Sequence, residues 1–203
     1  MSPAPGVTCM GTVSLAIIHY PVLDKRGAIV ATSVTNLELH DVARSCMTFG
    51  VELCYIVTPL EKQRAIAEQL IAHWKDGYGR QYNPDRAQAL EKIRMKRALS
   101  EVMSEFKGCE PVVIGTSSRR RDTSIGYGLL RSRIAADPRP FLLLFGTGWG
   151  LPADVMGHCE NTLLPIRGQG EYNHLSLRVA IGIILDRLLG ARGGQDERDD
   201  RSY

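Results

Sequence analysis

The chain has 203 residues, 44% of them hydrophobic and 23% charged, with a formal net charge of +3. That length supports one domain whose core stands without staples, and the composition excludes disordered, fibrous and membrane classes. A small positive charge is compatible with a nucleic-acid partner but does not by itself indicate one.

Residues 13–20 form an apolar run rich in branched side chains and stopped by Pro21, which predicts a buried strand. Residues 21–35, with Asp24, Lys25, Arg26 and Gly27, read as a loop or hairpin. Asn36 is suited to cap a helix running to Phe49, with Leu39, Val42, Ala43 and Cys46 on one face. Gly50 ends that helix, and residues 51–58 return as a second strand, giving a βαβ unit with a right-handed connection. Residues 61–74 have helical spacing with Ile66, Leu70 and Ile71 inward, before Gly77 and Gly79 break the pattern.

Residues 83–107 are mixed in charge and helix-friendly, with Ala89, Ile93, Ala98 and Leu99 inward, and 112–115 give a third strand. Residues 125–136 suit a helix, which Gly126 and Gly128 each weaken by about 1 kcal/mol relative to alanine. A fourth strand at 140–145 is a continuous apolar run, the mark of a strand covered on both faces. A short helix at 151–156, an extended segment at 162–166 and a closing helix at 173–189 follow. Strands and helices alternate, which predicts an α/β layer structure in a single domain at 12–190, with 1–11 and 191–203 as flexible ends.

Five scattered cysteines, Cys9, Cys46, Cys54, Cys109 and Cys159, contain no closely spaced pair, so reduced thiols in a cytoplasmic protein are expected and no metal site. The N-terminus lacks a secretory pattern, and no apolar run approaches the roughly 20 residues that cross a bilayer.

Ligands of α/β sheets lie beyond the carboxyl ends of strands, which selects residues 116–121, 146–151 and 164–175. Gly146, Gly148 and Gly150 read two ways, as a loop open to a ligand or as a tight strand-to-helix turn. Trp149 in that loop is suited to cover a flat ring. No Gly-Lys-Ser/Thr follows, so an NTPase phosphate loop is disfavoured, and the third glycine of a dinucleotide fingerprint is missing at Ala153 and Asp154. Arg119, Arg120 and Arg121, with Arg131 and Arg133, are the most basic stretch and suit either phosphates or solvent. Arg44, Asn36, Asn173 and His174 are candidates to position a substrate or move a proton, although the two asparagines also serve as caps. Ser176 beside His174 makes no triad, since no Gly-x-Ser-x-Gly elbow is present.

Three stretches carry a family resemblance: residues 19–22 with 32–44, residues 142–151, and residues 164–166 with 172–176. The run Phe145, Gly146, Thr147, Gly148, Trp149, Gly150 followed by Tyr172, Asn173, His174, Leu175, Ser176 is the most specific part. Together they resemble an uncharacterised bacterial branch of the SPOUT methyltransferases. That resemblance implies an open, mostly parallel α/β sheet with helices on both faces, a C-terminal deep trefoil knot, a homodimer built on it, S-adenosylmethionine as cofactor and tRNA or rRNA as substrate. It also implies cofactor loops at Thr116 and Ser117, at Phe145, Gly146, Thr147, Gly148, Trp149, Gly150 and Leu151, and at Leu164, Ile166, Asn173, His174 and Leu175. Arg44 looks similar to an arginine that assists transfer in the wider class, and Arg119 to a residue near the substrate in ribose-methylating relatives. Two other readings remain open at this point: an NAD(P)- or nucleotide-binding α/β protein, and a non-catalytic RNA-binding protein.

Overall fold

The computed structural model describes residues 11–170 and 172–191, so the expected flexible ends fall almost wholly outside the described residues. The first apolar run becomes β1 (Val13–Ile18), every residue of it buried. It pairs in parallel with β4 (Cys54–Val57) on one side and β8 (Phe141–Gly146) on the other, with Ile18 level with both Val57 and Gly146. Outward from these lie β5 (Ile93–Lys96), β6 (Val112–Gly115), β9 (Asn161–Leu163) and β7 (Ser124–Ile125), in the order β5-β4-β1-β8-β6-β9-β7 with every pair parallel. A short antiparallel hairpin of β2 (Val22–Leu23) and β3 (Ile29–Val30) follows β1 directly. The chain inserts β8 between β1 and β6 and then β9 between β6 and β7, so its last two strands enter between strands laid down earlier.

The two faces of the sheet bury separate apolar clusters. Leu15, Ile17, Ile56, Ile114, Leu143 and Phe145 meet residues of α1 (Asn36–Thr48), α4 (Pro84–Leu90), α6 (Tyr127–Ala136) and α8 (Leu177–Leu189). On the opposite face, Ala16, Ile18, Val113, Leu142 and Leu144 meet Val22 of the hairpin, Val102 of α5 (Leu99–Met103) and Val155 of α7 (Ala153–Met156). Helices thus cover both faces, which is why the central strands read as unbroken apolar runs. Two further helices, α2 (Glu61–Asp76) and α3 (Tyr78–Tyr82), complete the excursion between β4 and β5. Among the described residues no helix is long and apolar enough to cross a membrane.

Several expectations shift. Thr35, not Asn36, caps α1, its hydroxyl accepting from the Glu38 N–H at 3.3 Å. Ser176, not Asn173, caps α8, which begins at Leu177. Ile66 is 66% exposed, because α2 turns Ala67 and Arg64 inward and the Arg64 guanidinium donates to the Thr58 carbonyl at 3.0 Å. The helix-friendly region contains β5, and only Ile93 of its four residues is buried. Cys46, Cys54 and Cys159 are free, whereas Cys109 is disulfide-bonded, contrary to the expectation of reduced thiols throughout. Scatter along the sequence does not govern the Cα approach that a disulfide requires.

Candidate active site

The carboxyl ends of β1, β8, β6 and β9 lie side by side, so the segments that leave them form one edge of the molecule. Thr116, immediately beyond β6, is tied to β8: its N–H and its hydroxyl both donate to the Leu144 carbonyl, at 3.0 and 2.9 Å. Beyond β9, Leu164 donates its N–H to Ile125 at 2.9 Å. Asn173 then closes the group, its side-chain amide donating to the Ser118 carbonyl at 3.1 Å. The asparagine expected to cap a helix therefore joins the loop after β6 to the segment before α8.

Residues 146–151 turn back sharply. Gly150 donates its N–H to Thr147 at 3.0 Å, and the loop docks on the hairpin: Trp149 N–H donates to the Leu23 carbonyl and Leu23 N–H to the Gly150 carbonyl, both at 2.9 Å. Gly148 sits at φ +58°, and a Cβ there would lie 2.8 Å from the Leu23 carbonyl oxygen. The glycine at 148 thus answers first to the hairpin, a requirement that the sequence does not display. At Gly150, φ +103°, a Cβ would meet nothing within 4 Å, so this stretch of backbone is open. Trp149 is 63% exposed beside it.

The third segment suits a ligand read by main-chain groups. Among the described residues, the backbone N–H and C=O groups of 166–170 and 172–175 make no hydrogen bond to the rest of the chain. Leu164, Pro165 and Ile166 are half-buried, and Ile166 packs on the larger core cluster, giving an apolar wall beside those polar groups. His174 is exposed with its ring edge-on to Tyr172 at 5.5 Å, and Leu175 is exposed. A flat, partly apolar molecule carrying hydrogen-bonding edges fits such a surface.

The arginines divide. Arg131 donates to the carbonyls of Arg187 and Gly190, and Arg133 pairs with Glu160, Asn161 and Asp137, so both are structural. Arg119, Arg120 and Arg121 are exposed in the loop after β6, and their guanidinium groups have no hydrogen bond or ion pair among the described residues. Arg44 is also exposed and equally unpaired, eight residues down α1 from its start, or about 12 Å along the axis. Among the described residues it makes no hydrogen bond or ion pair to the three loops.

A polar chain that sequence reasoning missed, buried at one end and half-buried at the other, adjoins the glycine loop. His19, fully buried just beyond β1, places Nε2 2.7 Å from Glu38 Oε1 and Nδ1 3.0 Å from Thr32 Oγ1. Thr32 Oγ1 is 2.5 Å from Thr147 Oγ1, and the Thr147 hydroxyl donates to the Ile18 carbonyl at 3.1 Å. All four residues fall in the stretches that carry the family resemblance, but nothing in their spacing joins them.

With this geometry in view, comparison with known proteins is specific. Residues 12–190 match the family model described as SAM-dependent RNA methyltransferase. An uncharacterized protein of Aquifex aeolicus (strain VF5) is 39% identical over 179 residues, 87% of either chain. A tRNA (guanine-N(1)-)-methyltransferase of Oleidesulfovibrio alaskensis is 43% identical over 178 residues, which are 86% of this chain and 41% of that protein. The chain thus spans less than half of that relative, whose name covers a larger molecule. The solved TrmH/SpoU tRNA modifying enzyme of A. aeolicus shares the fold, with a TM-score of 0.54 at 15% identity over 96% of this chain and 79% of that one.

Proposed function

Because the chain belongs to the SAM-dependent RNA methyltransferase family, matched over residues 12–190, we propose that the loops beyond β6, β8 and β9 bind S-adenosylmethionine and present its methyl group to a tRNA or rRNA nucleotide. The observation that carries this reading is the meeting of three loops at one sheet edge, closed by the Asn173 to Ser118 hydrogen bond and bordered by unpaired main-chain groups. In it, Thr116, Phe145, Gly146, Thr147, Gly148, Gly150, Asn173, His174 and Leu175 line the cofactor, Leu164 and Ile166 wall its ring, and Trp149 covers it. Bound S-adenosylmethionine supplies an electrophilic methyl on a sulfonium, so what the chain must add is alignment of the acceptor. Arg119 and its neighbours meet RNA phosphates and sugars, and Arg44 orients the acceptor. The entry of β8 and β9 between earlier strands supports a C-terminal trefoil knot. The same reading places the protein in the cytoplasm.

The reading includes a homodimer. Leu37 on α1, Leu175 just before α8 and Val179 in its first turn are exposed apolar residues, and the two helices are joined by the Arg178 to Asp41 ion pair. Leu37, Asp41 and Arg44 follow one another at i, i+4 and i+7, a single stripe of α1. A dimer closed over this stripe sets Arg44 against the partner protomer.

The test is transfer of a radiolabelled methyl group from S-adenosylmethionine to purified tRNA and rRNA. Label should enter one of these pools, and Arg44→Ala should lower incorporation by at least about tenfold, on the scale of a lost positioning group, with cofactor affinity unchanged. Undiminished transfer by Arg44→Ala removes that role from the arginine.

A further inference from the structure

The catalytic reading does not use His19, yet this fully buried ring is the hub of four segments: β1, the hairpin, α1 and the glycine loop. Its hydrogen bonds can be assigned a direction. The Ile18 carbonyl only accepts, so the Thr147 hydroxyl donates its one proton there. Thr147 must then accept from Thr32, which uses the one proton of Thr32. Thr32 must in turn accept from His19, so the ring carries its proton on Nδ1. On the other side, one proton lies between Nε2 and Glu38 Oε1, 2.7 Å apart and both buried. The backbone repeats the join, with Thr32 N–H donating to the His19 carbonyl at 2.9 Å.

Order along this chain runs from Glu38, in the first turn of α1, to Thr147, the third residue of the run 145–150. Thr147 follows β8 immediately and precedes Gly148, Trp149 and Gly150, which the hairpin holds from its other side. The loop is thus fixed at three points, the Leu23 backbone pair, the Thr147 N–H on the Ile18 carbonyl at 3.3 Å and the Thr147 hydroxyl, and only the last depends on side chains.

We propose that Glu38, His19 and Thr32 are positioning residues for S-adenosylmethionine, acting through Thr147 to hold residues 146–150 in the shape that receives it. The proposal rests on the reading of 146–150 as a cofactor loop. A chain serving stability alone would leave cofactor affinity intact in any variant that still folds. Positioning requires the affinity to fall when the hydroxyl of Thr32 is lost, although Thr32 itself stands behind the loop.

The experiment compares wild type, Thr32→Val and Thr32→Ser, all full-length, with S-adenosylhomocysteine as probe. Calorimetry gives the affinity, and amide hydrogen exchange reports on residues 146–150. Thr32→Val should bind about tenfold more weakly, the order expected when a half-buried hydrogen-bond network loses a member, and its 146–150 amides should exchange faster. Thr32→Ser, which keeps the hydroxyl, should stay within about twofold of wild type on the same scale. A slowly exchanging His19 Nδ1 proton should appear in the nitrogen-15 spectrum of the wild type and disappear in Thr32→Val. If the valine variant does not fold, Thr32→Ala, which adds no volume, replaces it. Wild-type affinity and exchange in a folded Thr32→Val or Thr32→Ala overturn the positioning role. Failure of the wild type itself to bind the probe overturns the cofactor-loop reading, and this proposal with it.

Discussion

Gly148→Ala offers a sharp test of how the glycine loop is built. The residue sits at φ +58°, where a side chain costs about 1–2 kcal/mol. The new Cβ would also stand 2.8 Å from the Leu23 carbonyl oxygen, a backbone atom that cannot rotate aside. Leu23 must move, and it carries both hydrogen bonds that dock the loop, from Trp149 N–H and to the Gly150 carbonyl. Each contributes about 0.5–1.5 kcal/mol, so a total loss of about 3 kcal/mol is expected. Gly150→Ala is the control, since its φ of +103° is strained but its Cβ meets nothing, and its loss should be the smaller. Urea unfolding with linear extrapolation measures both. A loss below about 1 kcal/mol in Gly148→Ala, or a larger loss in Gly150→Ala, would refute the docking argument.

Other outcomes follow from the same structure. Gly182 lies in the middle of α8, and a Cβ added there would meet nothing within 4 Å, so Gly182→Ala should stabilise the protein by about 1 kcal/mol in the same urea assay. Replacing Arg120 and Arg121 by glutamine should weaken RNA binding and flatten its dependence on salt, lowering the log–log slope by about 1.5 to 2. Burial, with Glu105 nearby, pushes the Tyr55 phenol from 10 up to about 12. The folded state therefore keeps this proton when the unfolded chain has begun to lose it, and stability should fall as pH rises from 10 toward 12. Urea midpoints across that range should lose this component in Tyr55→Phe.

The layers of the fold were legible because burial on both faces leaves unbroken apolar runs at β1, β4, β6 and β8, and such runs are visible without neighbours. β5 was hidden for the opposite reason. It is an edge strand with Arg94 and Lys96 among its four residues, and edges favour charge. β7 has two residues and no periodicity to read. The three loops were found by their position after strands. What joins them was not: Thr32 and Thr147 meet across 115 positions, and Asn173 and Ser118 across 55. Hydrogen-bond pairing at such separations has no spacing rule in the sequence, and the insertion of β8 and β9 between earlier strands has none either.

Cofactor binding tests the central claim most directly. Purified protein titrated calorimetrically with S-adenosylmethionine, S-adenosylhomocysteine and NAD in parallel should bind the first two saturably and ignore the third. Binding of NAD alone, or of none of the three, would contradict the account.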